Sequence, residues 1–178
     1  MIWFHGIRLM MVSGFVVAAL TVVVLATPMQ VTQVNGTVKL KQADGTEVPA
    51  KPFRSGETIT TGIKSSAVVS LGKLGRVEVF EESKMTLSFD DSGLTAMLDA
   101  GRVRVSSSPG ANATVKTADG EIVAVGDKLK EFTVDVTCGD TFVSVRKGTV
   151  ELRAGGTVKQ IAAGSQDTAG VARPGCRP

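Results

Sequence analysis

Gly101-Arg102-Val103-Arg104-Val105 is a phrase with a period of two, a glycine followed by alternating polar and apolar side chains. On an extended strand that alternation sends the valines to one face and the arginines to the other. The phrase recurs as Gly36-Thr37-Val38-Lys39-Leu40 and as Gly148-Thr149-Val150-Glu151-Leu152. Each glycine suits the turn ahead of its strand. The spacings are 65 and 47 residues (101 − 36 and 148 − 101), too unequal for a solenoid. They suit two related β-layers of short strands.

The same alternation extends in both directions. Arg76 to Phe80 and Lys84 to Phe89 read as strands, the latter with Met85, Leu87 and Phe89 on one face. Ser66 to Leu71, Glu121 to Val125, Phe132 to Val136, Thr141 to Arg146 and Thr157 to Ile161 follow suit. Asp44-Gly45, Gly72 to Gly75, Asp90 to Gly93, Asp119-Gly120, Cys138 to Asp140 and Gly155-Gly156 punctuate them as turns. Beyond Gly164 the strand signal fades. The expected fold is all-β: a sandwich or roll of short antiparallel strands in two related halves, preceded by one N-terminal hydrophobic helix.

That helix is the uncharged run Leu9–Ala26. Eighteen residues of helix reach about 27 Å, close to the roughly 30 Å hydrocarbon core of a bilayer. Arg8 and the terminal amine give a weakly positive flank, which keeps residues 1–8 cytoplasmic and exports the rest. Two readings stay open. The run is an uncleaved inner-membrane anchor with the body in the periplasm, or a signal peptide cut after Ala26 that releases a periplasmic or secreted protein. As an anchor it offers Ser13, Gly14, Ala18 and Ala19 as small residues for packing against another helix.

Composition narrows the function. The formal charge is +3, the signs are interspersed, and no basic block of five occurs, so nucleic acid binding has no footprint. Tyrosine is absent, and His5, the single histidine, lies ahead of the apolar run. Histidine-based acid–base or cysteine–histidine chemistry therefore has no place in the body. Glu81-Glu82 and Asp90-Asp91 are acidic pairs, best read as solvated turns. Asp90-Asp91-Ser92-Gly93 lacks the ligand count of a calcium loop, and Gly72-Lys73-Leu74-Gly75 lacks the lysine–serine pair of a phosphate loop. No catalytic residue, metal ligand or cofactor is expected. Cys138 and Cys176 lie in an oxidising compartment on either reading and are expected to form a disulfide. Arg102, Arg104, Arg146 and Lys147 are the candidate patch for an anionic partner, against the plainer reading of a solvated strand face.

In order along the chain, these phrases resemble a known family. Val34-Asn35-Gly36-Thr37-Val38 followed by Ser55-Gly56-Glu57-Thr58-Ile59-Thr60-Thr61-Gly62 looks like the opening of a FecR domain. Ser66 to Leu71 with the Gly75 strand, Leu98-Asp99-Ala100-Gly101-Arg102-Val103, Val143 to Val150, and Ala163-Gly164-Ser165 resemble its later elements. The resemblance spans residues 31–168 and leaves 169–178 as a tail. Where the family often carries Arg-Gly-Thr-x-Phe, this sequence reads Val125-Gly126-Asp127-Lys128-Leu129. The resemblance implies an envelope location and a non-enzymatic domain that binds or scaffolds an envelope protein or polysaccharide. The alternative it implies is a signalling regulator of a sigma/anti-sigma system. Eight residues ahead of the apolar run leave no room for a sigma-binding domain, so the expectation is a truncated regulator at most. A polysaccharide-active enzyme resting on the acidic pairs is a third, weaker reading.

Overall fold

The structure is a computed structural model and describes residues 30–42, 45–48 and 53–176. Leu9–Ala26, with Ser13, Gly14, Ala18 and Ala19, lies outside the described residues. Among the described residues no helix is long and apolar enough to cross a membrane.

The strands, numbered in chain order, form two sheets. One sheet holds β1 (Gln30–Asn35), β5 (Ser66–Ser70), β6 (Gly75–Val79), β9 (Arg102–Ser107), β12 (Lys130–Asp135), β13 (Thr141–Lys147) and β16 (Gln166–Ala169), side by side in that order. The other holds β3 (Glu47–Val48), β2 (Val38–Lys41), β4 (Glu57–Thr61), β7 (Lys84–Phe89), β8 (Gly93–Ala100), β10 (Asn112–Lys116), β11 (Glu121–Val125), β14 (Thr149–Ala154) and β15 (Thr157–Ala162). Alternation does what the sequence requires of it. Val77, Val79, Val103, Val105, Phe132, Val134 and Val143 point inward from the first sheet against Ile59, Met85, Leu87, Val115, Ile122, Val150 and Leu152 from the second. All are at most 2 % exposed. Burying each such side chain stabilises the fold by roughly 1.5–3 kcal/mol relative to exposure.

The two halves repeat one connectivity. In the first, β2 pairs with β4, β4 with β7 and β7 with β8, while β5 pairs with β6 and β6 with β9. In the second, β10 pairs with β11, β11 with β14 and β14 with β15, while β12 pairs with β13 and β13 with β16. The halves join through β9 against β12 and β8 against β10. The β8–β10 pair is parallel, which corrects the expectation of antiparallel strands alone. Its cause is topological: the chain leaves β8, crosses the opposite sheet as β9, and returns as β10 in the direction it left.

The three recurrent glycines mark the corners between sheets. Gly36 lies between β1 and β2, Gly101 between β8 and β9, and Gly148 between β13 and β14, each with φ between 74° and 86°. Two corners share a lock. The N–H of Thr37, after Gly36, donates to Ser65 Oγ at 2.9 Å, and the N–H of Arg102, after Gly101, donates to Ser83 Oγ at 2.9 Å. Each serine hydroxyl also donates to a carbonyl two residues back, Ile63 or Glu81, at 3.0 Å. Each follows a non-glycine residue in the left-handed region, Lys64 (φ 52°) and Glu82 (φ 51°). At the third corner Lys130 stands beside Gly148 instead. Its side chain is buried, and Nζ donates to the Ala111 carbonyl at 3.4 Å.

Candidate functional site

A sandwich leaves strand edges at both ends, and exposed edges invite pairing with other chains. At one end, β1 is interrupted by a bulge between Val31 and Gln33. A bulge blunts an edge. At the other end the edges are β15 and β16. The edge strand β16 has four residues and then turns at Gly170, whose backbone is packed against the Asp119 carboxylate. By contrast β15 has six residues, no bulge and no proline.

The pairing of β15 dictates which of its groups are open. Gly155 (φ 54°) and Gly156 (φ 77°) form a two-residue turn with both residues left-handed. That geometry is type I′, and it makes Ala154 and Thr157 the hydrogen-bonded pair that closes the hairpin. Counting by twos, Lys159 and Ile161 also commit their main-chain groups to β14. Val158, Gln160 and Ala162 point theirs away from it. The Ala162 carbonyl accepts the Ser165 N–H at 3.0 Å; the N–H and C=O of Val158 and Gln160 have no main-chain partner among the described residues. The Val158 side chain is 60 % exposed.

Beside this edge the two sheets part. A groove of about 340 Å³ lies between β15 and β16, bounded by Leu152, Ala154, Thr157, Lys159, Thr168 and Ala169, with Asp119 at its rim. An ion pair bridges the sheets beside it, Lys159 Nζ to Asp167 Oδ1 at 3.1 Å. The Thr168 N–H first, and then Lys159, hold the Asp167 carboxyl below the ordinary carboxylate range. Glu151, on β14, is likewise lowered, chiefly by hydrogen bonds from Arg153 and with a contribution from Gln160. Asp119 accepts from Thr141 Oγ1 at 3.0 Å, and Thr141 shares a 2.7 Å hydrogen bond with Thr117. The site is thus a main-chain acceptor strip with a partly apolar groove behind it. Such a strip can take a polypeptide strand.

The basic residues picked out in the sequence lie elsewhere, on the outer face of the seven-stranded sheet, where β12 separates β9 from β13. Each has a carboxylate. Arg102 meets Asp135 at 2.7 Å, Arg104 meets Glu78 at 3.0 Å, and Arg146 and Lys147 meet Glu131 at 3.1 and 3.8 Å. Arg104 also lies 5.1 Å over the Phe80 ring. Burial opposes the ionisation of Asp135, but the Thr137 hydroxyl and N–H, with Arg102, outweigh it and hold its carboxyl low. These four cations share three carboxylates, and exposed Arg76 of β6, on the same side of its strand as Glu78, adds a fifth cation to the face.

The acidic pairs occupy opposite ends of β7, separated by its length of about 20 Å. Glu81 accepts the Lys64 N–H, Asp90 accepts from Ser92 and Gly93 inside its own turn, and Asp91 pairs with Lys73 at 3.2 Å. Among the described residues no group of three or more histidine, cysteine, aspartate or glutamate side chains could hold a metal ion. Cys138 and Cys176 are bonded, with Cα atoms 5.7 Å apart. The tail lies over the β12–β13 turn, where the Arg173 N–H donates to the Cys138 carbonyl at 2.8 Å and the Arg173 guanidinium donates to the Thr137 carbonyl.

No family model matches the chain, and no curated protein matches it. Solved structures do. Two crystal structures, at 1.65 and 2.50 Å resolution, of a protein from Parabacteroides distasonis ATCC 8503 provisionally described as an anti-sigma factor align with TM-scores of 0.54 and 0.53. Identity is 19 % in both, over 62 % of this chain and 53 % of theirs. The chain therefore matches about half the length of those structures. At that identity the likeness is one of fold.

Proposed function

We propose that this chain is a polypeptide-binding module of a regulatory system of the FecR kind, working outside the cytoplasm and taking a partner strand on β15. One observation carries the reading: β15 is a regular six-residue edge that lacks the bulge of the β1 edge at the far end. The fold likeness to a protein provisionally described as an anti-sigma factor supports a regulatory setting over a purely mechanical one. Each of the four candidate cations already meets a carboxylate, which favours a protein rather than a polyanion as partner. The reading needs no catalytic group.

The test is genetic. A strain lacking the chain should show a defined set of altered transcripts, restored by the wild-type chain. Gln160→Pro should fail to restore them although it folds, because the N–H it removes faces away from β14 and proline is tolerated at such edge positions. Transcripts unchanged on deletion would overturn the regulatory reading. Full restoration by Gln160→Pro would overturn β15 as the acceptor.

A further inference from the structure

We infer that β15 also pairs with β15 of a second copy of this chain, giving a two-fold dimer in which the nine-stranded sheets run on as one. The inference rests on the reading of β15 as an acceptor edge. Its particular content comes from the strand's own sequence, Thr157-Val158-Lys159-Gln160-Ile161-Ala162.

The open main-chain groups sit on even-numbered residues, so an antiparallel copy can hydrogen-bond only when even residues oppose even residues. Three two-fold registers come close to satisfying this. With Val158 opposite Val158, pairing runs into Gly156, whose φ of 77° is not extended. With Val158 opposite Gln160, Lys159 faces Lys159 of the second copy, and like charges directly opposed are unfavourable. With Gln160 opposite Gln160, the whole of 158–162 pairs, Val158 meets Ala162, and Lys159 meets Ile161. This register makes two hydrogen bonds between the Gln160 residues and one from each Ala162 N–H to a Val158 carbonyl. That is four bonds, none of which uses the Ala162 carbonyl already engaged by Ser165. It also covers the exposed Val158 side chain and leaves no like charges opposed. Pairing of β15 with β15 about a two-fold axis is isologous, so the contact closes as a dimer rather than a filament.

Five residues a side bury far less than the roughly 1,000 Å² of a stable interface. The association is therefore weak, and it is read by cross-linking the protein in the cells that make it rather than by mass in dilute solution. Gln160→Cys places two thiols on a hydrogen-bonded pair, about 5.5 Å apart between Cα atoms and within disulfide reach. Under a mild oxidant that accepts the two electrons, Gln160→Cys should give a reducible dimer at least tenfold above Lys159→Cys. Val158→Cys co-expressed with Ala162→Cys should cross-link as a mixed pair, and neither should cross-link alone. Strong Lys159→Cys dimers with weak Gln160→Cys dimers would overturn the register. No cross-link from Gln160→Cys or from the mixed pair, with all variants present at wild-type levels, would overturn the dimer. The cross-links read self-pairing alone, whereas the transcripts of the deletion strain read the regulatory proposal, so either idea can fall without the other.

Discussion

Replacing Cys176 with serine removes the disulfide while leaving buried Cys138 as a small apolar side chain. The bridge joins residues 38 apart. Loop-closure entropy for that span is about 13 cal/mol/K, so the bridge should stabilise the fold by about 4 kcal/mol at 25 °C, mainly by restricting the unfolded chain. The native side should contribute little. Val171, Arg173, Pro174, Gly175 and Cys176 are exposed, and the tail is tied down by Arg173 contacts to Thr137 and Cys138 rather than by apolar burial. The assay is urea unfolding of the full chain, followed by far-ultraviolet circular dichroism. The single tryptophan, Trp3, lies ahead of the β-domain and would not report on it. With a slope of about 2 kcal/mol/M, the midpoint should fall by about 2 M at unchanged slope. A fall of less than about 0.5 M, worth under about 1 kcal/mol, would refute the unfolded-state account.

Further outcomes follow from the corners and from the outer face. Gly56 and Gly101 have φ of 89° and 86°, but a Cβ at Gly56 meets nothing within 4 Å whereas one at Gly101 comes within 2.5 Å of Ser83 Cα. Gly56→Ala should cost about 1–2 kcal/mol from backbone strain, and Gly101→Ala about 1–3 kcal/mol more from the clash; equal melting temperatures would contradict this. Lys130→Met keeps the volume and removes a buried amine that donates to the Ala111 carbonyl at 3.4 Å, so thermal stability should hold or rise by about 1 kcal/mol; a large fall would show that the amine is essential to its corner. Asp135 has a lowered folded pKa, so its contribution is present above the ordinary carboxylate range and is lost as pH falls through the folded value. The stability gap between wild type and Asp135→Asn should therefore be widest near neutral pH and close below about pH 4; a gap that stayed constant down to pH 2 would be inconsistent with the linkage.

Alternation is a local property, and it was legible wherever both faces of a strand differ. Lys84–Phe89 and Glu121–Val125 coincide with β7 and β11, and the inward valines of β9 are fully buried. The glycine phrase marked all three corners because the left-handed backbone there restricts the choice of residue. What was missed is set by partners distant in sequence. Only Ala169 of β16 is buried, so that strand has almost no apolar signal of its own. Lys130 reads as a surface residue, yet the third corner buries it. Both members of the Ser65 and Ser83 locks were visible as serines, but nothing local announces that they meet Gly36 and Gly101 across the sandwich. The candidate site was half legible. Thr157 to Ile161 read as a strand, but whether a strand lies at an edge is decided by the whole sheet order.

The repetition of connectivity bears on why β15 is open. In the first half, the strand equivalent to β15 is β8, and its outer side is filled by β10, the first strand of the second half. In the second half, the equivalent side of β15 has no occupant among the described residues. The same holds in the other sheet, where β9 receives β12 and its equivalent β16 receives nothing. The edge at β15 is thus the position where one more repeat would dock. The equivalent strand of the first half, β8, accepts β10 on that side within this chain. A fold of repeated halves must either blunt such a position or use it. At the β1 end a blunting bulge is present. At β15 the strand stays regular, its single charge is turned toward Asp167, and the groove behind it stays open. A strand arriving as β10 arrives on β8 would run parallel, whereas a second copy about a two-fold axis runs antiparallel. The two occupants therefore exclude one another, and partner binding would dissolve the dimer by competition for the same main-chain groups of Val158 and Gln160.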